Sequence, residues 1–430
     1  MRSVIIGTVP IHGHVMPLLA VARYLAERGD RVRFVTGARF AAAVEATGAA
    51  HVPLPAESDY DDRQDWDLIF PRRGELTGAK AIAHDIEHVF VRPGRGQYDA
   101  VMGTHAEEPA DVVLTDPAFA GGAFLLGHPP GARPPVVVCG VLPLMIASRD
   151  TAPYGTGMAP LAGPLGRVRN GVLAAVAGRT VMRGATRVSE EVNRSIHGTP
   201  LPYPVLDWPR HADAIVQFTV PEFEYPRSDA PPTLSFAGPI SASGSQAALP
   251  AWWGDLDGSR PVVHVTQGTI ANRDYRQVIA PALEGLAEDD VLVVVSTGGR
   301  PLETLPPLPA NARAAEYLPY DDLLPLTAAY VTNGGYGGAQ YALRYGVPIV
   351  TTSGKEDKPE VAARVAWSGV GVRVNTETPS AAAVAQAVRT VLREPRYREA
   401  AQRVSASMQR SGGLAHLAGV IDDVIGGTDS

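Results

Sequence analysis

Two histidines stand one residue apart in "PIHGHVMPLL" (residues 10–19), directly after the apolar run "SVIIGTV" and at the start of a helix-like stretch. Imidazole titrates near neutral pH, so His12 or His14 at such a turn has the chemistry to take a proton from a hydroxyl. A carboxylate orienting the ring would strengthen that role, and Asp116 closes a second apolar run, "ADVVLTD". Each residue also has a plain structural reading: His14 as a helix N-terminal residue with local hydrogen bonds, Asp116 as a cap ahead of Pro117. Only proximity separates the readings. A third feature is "VTNGGYGGAQYALRYGVPIV" (331–350), where Gly334, Gly335, Gly337 and Gly338 lie between an apolar run and a helical pattern. Bare backbone at a helix N-terminus presents N–H groups to an anion such as a diphosphate, although glycine clusters also make ordinary turns. The spacing is neither GxGxxG nor a P-loop, so those nucleotide fingerprints are lacking.

These residues need elements that hold them at strand ends. Up to about residue 215, apolar runs alternate with helical segments: "SVIIGTVP", "RVRFVTG", "ADVVLTD" and "PPVVVCGVL" read as strands, "MPLLAVARYLAERGD" and "ARFAAAVEATG" as helices. Residues 221–253, rich in Pro, Ser and Gly, break the rhythm and read as a linker. The alternation then restarts with "RPVVHVTQGT", "VLVVVSTGG", "AAYVTNGG" and "VPIVTTSG" as strands. Crossover alternation of this kind means parallel sheets, so the expected fold is α/β: two Rossmann-like domains facing each other across a cleft. The expected boundaries are 1–220, a linker at 221–253, 254–405, and a C-terminal helix at 406–430 packing back on the first domain.

Composition narrows the function. The 430-residue chain is too long for one core, and its formal charge of −7 disfavours a nucleic-acid or anionic-membrane partner. The lone cysteine, Cys139, excludes an internal disulfide and sits in a run that reads as buried strand. No 18-residue apolar span occurs and the N-terminus enters a strand-like run at once, which reads as a cytoplasmic protein. "HDIEH" places His84 and His88 four apart, the spacing of a zinc pair, but it lacks the zincin glutamate and a third ligand. Two helix residues lining a pocket are the better reading. The acidic triplets at 59–61, 65–67 and 255–257 close no clear strand, so they read as solvated loop charge, and "DYDDRQDWD" as a mobile loop. Trp252 and Trp253 read as hinge packing.

From Asn311 to Gly371 the sequence resembles the nucleotide-sugar signature of inverting GT-B glycosyltransferases, the large family containing plant and bacterial natural-product glucosyltransferases. "GTVPIHGHVMPLL" and "ADVVLTDPAFAGGAFLL" extend the resemblance over essentially the whole chain. It implies His14, in the GHxxP element, as general base and Asp116 as its partner. It implies Tyr317 where a tryptophan stacks on uracil, Tyr320 where glutamine is common, and Asn333 where a histidine meets the diphosphate. Gly335, Gly337 and Gly338 match the backbone around the phosphates, Thr269 the residue near phosphates and sugar, and Glu356 and Asp357 the acidic end that binds sugar hydroxyls, followed by Lys358 in place of glutamine. Tyr341 replaces a glutamate that holds the ribose hydroxyls, which leaves room for a deoxyribose donor.

The expected activity is metal-independent, inverting transfer of a sugar, glucose first, from a nucleotide diphosphate to a hydroxyl of a small, mostly apolar natural product. UDP-glucose is expected ahead of a TDP-sugar, as substrate rather than cofactor. His12, His84 and His88 are the expected acceptor-side residues, in a monomer or homodimer. The competing readings are a sugar-nucleotide epimerase on the same architecture and a non-catalytic binding protein. The GHxxP element and Asp116 argue against the epimerase, and the replacements at 333 and 341 are the only support for the binding protein.

Overall fold

Runs of Val, Ile and Leu that are buried on both faces make the strands, as parallel sheets covered by helices require. The computed structural model describes residues 1–70, 72–76, 78–240, 247–269, 272–354 and 357–427. The first sheet contains β1 (Ser3–Gly7), β2 (Arg31–Thr36), β3 (Ala50–Pro53), β4 (Val112–Thr115), β5 (Val136–Gly140), β6 (Ala214–Gln217) and β7 (Leu234–Phe236). The second contains β8 (Val262–Thr266), β9 (Leu292–Ser296), β10 (Ala312–Ala315), β11 (Thr327–Thr332), β12 (Ile349–Thr352) and β13 (Gly371–Val374). Their orders are β3-β2-β1-β4-β5-β6-β7 and β10-β9-β8-β11-β12-β13. Both sheets are therefore doubly wound, with the order reversing between β1 and β4 in one and between β8 and β11 in the other. In open parallel sheets, the crevice beyond the carboxyl ends at such a reversal is where ligands bind.

Period-two alternation distributes the core. In β1, Val4 and Ile6 enter one apolar cluster while Ile5 enters the cluster on the opposite face. Cys139 lies in the first of these, fully buried, and burial pushes its thiol far up, so it is an inert packing residue. The helix Gly413–Gly426 returns to the same cluster through Leu417 and Ile421, and His416 Nε2 lies 2.9 Å from Ser235 Oγ on β7.

Two expectations change here. Residues 221–253 are not all linker, because β7 pairs with β6 (Ile215 with Leu234, Gln217 with Phe236) and extends the first sheet. The flanking Pro and Ser residues conceal a strand of only three residues. Trp252 and Trp253 stack on each other and pack on Val262, Leu292 and Leu318, with Trp252 Nε1 donating to Ala314 O at 3.0 Å. They belong to the flank of the second sheet.

Buried charge joins the two units. Arg364, on the helix Lys358–Trp367, donates to Glu224 at 2.5 Å and to Glu360 at 2.9 Å, and lies 4.1 Å over the Tyr225 ring. Glu360 also accepts from Gly155 N and Gly157 N at 2.9 and 2.8 Å, which ties this helix to a loop following β5.

Candidate active site

The helix His12–Glu27 begins as the chain leaves β1, and Asp116 is the residue after β4, so the adjacency of the two strands brings their tips together. Asp116 is fully buried. Its Oδ1 accepts from Ala118 N at 2.8 Å and lies 2.9 Å from His14 Nδ1, and its Oδ2 accepts from Val9 N at 2.9 Å. Asp116 therefore fixes its own turn and lies within hydrogen-bond distance of the histidine ring. An ionised carboxylate accepts only, so Nδ1 carries the proton and Nε2 keeps its lone pair. His14 is 6% exposed, and Nε2 has no hydrogen-bond partner among the described residues. This is the arrangement of an oriented general base.

The segment read as a mobile, solvated acidic loop is pinned over this dyad. Asp62 is buried, accepting from His12 N at 2.7 Å and lying 2.8 Å from Arg39 Nη1. Asp59 holds Ala38 N at 3.0 Å, and Asp65 caps the turn Trp66–Ile69. Tyr60, Trp66 and Phe70 pack edge to face, with Tyr60 and Phe70 centroids 5.3 Å apart. Burial, followed by the charges of Asp116 and Asp62, pushes the Tyr60 phenol well above its ordinary range. The sequence reading missed this wall because charge masked it; the signal was two aromatics, at 60 and 66, within the acidic run and a third, at 70, just after it.

His12 is the first residue of its helix, and burial holds its imidazole below the usual range. His84 lies in the last turn of the helix Gly78–Asp85, and His88 in the π-helical turn Ile86–Val91. Their rings stack 4.3 Å apart. Among the described residues, no group of three or more His, Cys, Asp or Glu is placed to hold a metal ion.

On the second unit, the turn after β11 leads into the helix Tyr336–Arg344. Gly334 has φ +97°, which a side chain would strain, and Gly335 and Gly337 face open space. Gly338 differs, because a Cβ there would press on the Tyr330 hydroxyl, so it is a packing glycine. Asn333 is 2% exposed and donates to Gln267 O at 3.2 Å, linking the turns after β11 and β8. Thr269 is exposed in the β8 turn, and Tyr317 is 50% exposed with its ring against Gly299. Tyr320 is partly buried against the core, its hydroxyl 3.1 Å from His264 Nε2, and Tyr341 packs edge-on against it at 5.7 Å. Asp357 is the N-cap residue of the helix Lys358–Trp367, and Lys358 is buried behind Gly334 and Gly354. Glu356 lies outside the described residues.

A cleft of about 590 Å³ opens between the two units, lined by Asp62, Trp66 and Arg73 from the first and by Thr269, Asn272, Arg273 and Arg300 from the second. No helix among the described residues is long and apolar enough to cross a membrane.

Two doubly wound units facing across a cleft, with an oriented histidine on one and a glycine-rich turn on the other, define a GT-B-type group-transfer enzyme. Residues 280–417 match the family model of the erythromycin biosynthesis protein CIII-like C-terminal domain. The chain is 41% identical to 4'-demethylrebeccamycin synthase of Lentzea aerocolonigenes over 403 residues, covering 93% of this chain and 94% of that protein. It is 32% identical to UDP-glucosyltransferase A1 of Starmerella bombicola, over 96% of this chain and 90% of the relative. Among solved structures, the calicheamicin glycosyltransferase CalG4 superposes with a TM-score of 0.74 at 21% identity, over 99% and 98% of the two chains. The chain belongs to the natural-product glycosyltransferases of the GT-B fold.

Proposed function

We propose that the protein transfers glucose from UDP-glucose to a hydroxyl of a small, mostly apolar natural product, with inversion and without a metal. The observation that carries this reading is the 2.9 Å contact between His14 Nδ1 and buried Asp116, which leaves Nε2 as the proton acceptor. The acceptor hydroxyl gives its proton to Nε2 as its oxygen bonds to the anomeric carbon. The bond from that carbon to the diphosphate breaks on the opposite face, and its electron pair leaves on the diphosphate. An α-linked donor thus gives a β-linked product. Asp116 offsets the charge that develops on the imidazolium, and backbone N–H groups around Gly335 and Gly337 receive the leaving diphosphate.

The relative's name, UDP-glucosyltransferase A1, supports the choice of donor. One observation favours a TDP-sugar as a second reading: position 341 carries a phenol packed on Tyr320, not a carboxylate for two ribose hydroxyls. Calorimetry with UDP and TDP decides between them, and binding of neither overturns the donor reading. His14→Ala tests the base. Donor affinity should be retained while transfer falls about 10²- to 10⁴-fold, and an unchanged transfer rate would remove His14 from the mechanism.

A further inference from the structure

Four arginines, Arg63, Arg73, Arg273 and Arg300, line the interdomain cleft. Three of them are neutralised: Arg63 pairs with Asp61 at 2.6 Å, Arg73 with Asp85 at 2.8 Å, and Arg273 with Asp65 at 3.6 Å. Arg300 is different. Its Nη1 donates to Asn272 O and Arg273 O, both at 2.7 Å, and its guanidinium lies 4.8 Å over the Tyr275 ring. No carboxylate lies within ion-pair distance of it among the described residues, so it is a half-buried cation held in place without a counter-charge.

The backbone that carries it is built to a fixed shape. Gly298 and Gly299 have φ of +68° and +89°. A Cβ on Gly298 would run into Gly268 O, and one on Gly299 into the Tyr317 hydroxyl. Buried Asn272 donates to Thr297 O at 2.9 Å and to Gly268 O at 3.1 Å, and Thr297 Oγ1 donates to Arg300 O at 2.5 Å. The turns after β9, β8 and β11 thus lie side by side along one sheet edge, spanning about two inter-strand spacings, or about 10 Å. Arg300 and the open Tyr317 ring are at one end, and the glycine turn 334–337 is at the other. That turn offers neutral N–H donors, and Lys358 is buried behind it. The half-buried cation, Arg300, stands at the Tyr317 end.

We propose that Arg300 binds the nucleoside-bearing phosphate of the donor by a charge-assisted hydrogen bond, and so acts as a donor-binding residue. This rests on the nucleotide-sugar reading above. A nucleoside stacked on Tyr317 places its first phosphate beside Arg300 and its second toward Gly335 and Gly337.

The test is titration calorimetry of the full chain, wild type and Arg300→Met, with UDP, UMP and uridine, and with TDP, TMP and thymidine. The expected result is a loss of about 10- to 100-fold for the diphosphate and the monophosphate, with nucleoside affinity unchanged. Arg300→Lys should restore part of the loss. Matching thermal midpoints establish that the variants are folded; if Arg300→Met is not folded, Arg300→Lys and Arg300→Gln carry the comparison. Equal affinity in wild type and variant overturns the proposal while leaving the donor reading intact. So does an equal loss on nucleoside, monophosphate and diphosphate, or a loss confined to the diphosphate. A wild type that binds no nucleoside diphosphate overturns the donor reading and this assignment with it.

Discussion

Asp116→Asn is the sharpest perturbation of the proposed mechanism, because the structure fixes what each side-chain atom would meet. Oδ1 faces two donors, His14 Nδ1 and Ala118 N, and Oδ2 faces one, Val9 N. Asparagine has one acceptor oxygen, so the better orientation keeps it toward His14 and Ala118 and sets Nδ2 against Val9 N–H. One buried donor then loses its partner, at a cost of about 1–3 kcal/mol in stability. The histidine keeps its ring orientation and tautomer, but the buried negative charge is gone. Two unit charges about 4 Å apart attract by about 4 kcal/mol at an effective dielectric of about 20, and the amide dipole retains part of that. A loss of about 2–4 kcal/mol of transition-state stabilisation lowers kcat about 30- to 1,000-fold with little change in donor KM. The assay is UDP release from UDP-glucose, using an acceptor that the wild type turns over from a panel of phenolic natural products. A folded Asp116→Asn enzyme with wild-type kcat would refute the claim that Asp116 acts through charge on His14.

Tyr317→Ala should weaken UDP about 5- to 20-fold, toward the low end of base–aromatic stacking because the ring is half exposed, and calorimetry reads this directly. His264 is buried as the neutral form, its Nδ1–H donating to Val294 O at 2.8 Å, and burial pushes its pKa down to about 4 from 6.5. The unfolded chain therefore takes up this proton first, and stability falls as pH drops from about 6.5 toward 4, by up to about 3 kcal/mol. Denaturant titrations across that window should show the slope, and His264→Gln should flatten it. Arg364→Met leaves Glu360 buried without its ion-pair partner and Glu224 with Arg227 alone, so thermal or urea unfolding should show a loss of about 3–5 kcal/mol.

What was legible in the sequence followed from periodicity and from residues at strand ends. The run "SVIIG" became β1, "VVLT" became β4, and their adjacency put His14 beside Asp116. Short strands carrying little pattern were not legible, as β7 shows within a stretch rich in Pro and Ser. Within the acidic segment 59–67, Asp65 and Asp67 are exposed as expected, but Asp62 was misread for a different reason. Charge normally marks solvation, but Asp62 is stabilised by a backbone N–H and by Arg39, which lies 23 positions away in sequence, and single-sequence reasoning has no access to that partner. Long-range compensation of the same kind hid the pairing of Glu224 with Arg364, which lies 140 positions away in sequence.

The glycines at 334–338 show where a motif stops being a single statement. Gly334 is required by its backbone angle, Gly335 and Gly337 leave the front of the turn open, and Gly338 makes room for Tyr330 from behind. Four identical letters thus answer to three constraints, and only two of the four face open space. The prediction that separates them is substitution by alanine. At Gly337 it should leave stability unchanged within about 0.5 kcal/mol while weakening nucleoside diphosphate binding. At Gly338 it should cost about 1–3 kcal/mol of stability through overpacking on Tyr330. Equal effects of the two substitutions on both stability and binding would show that this division of the turn is wrong.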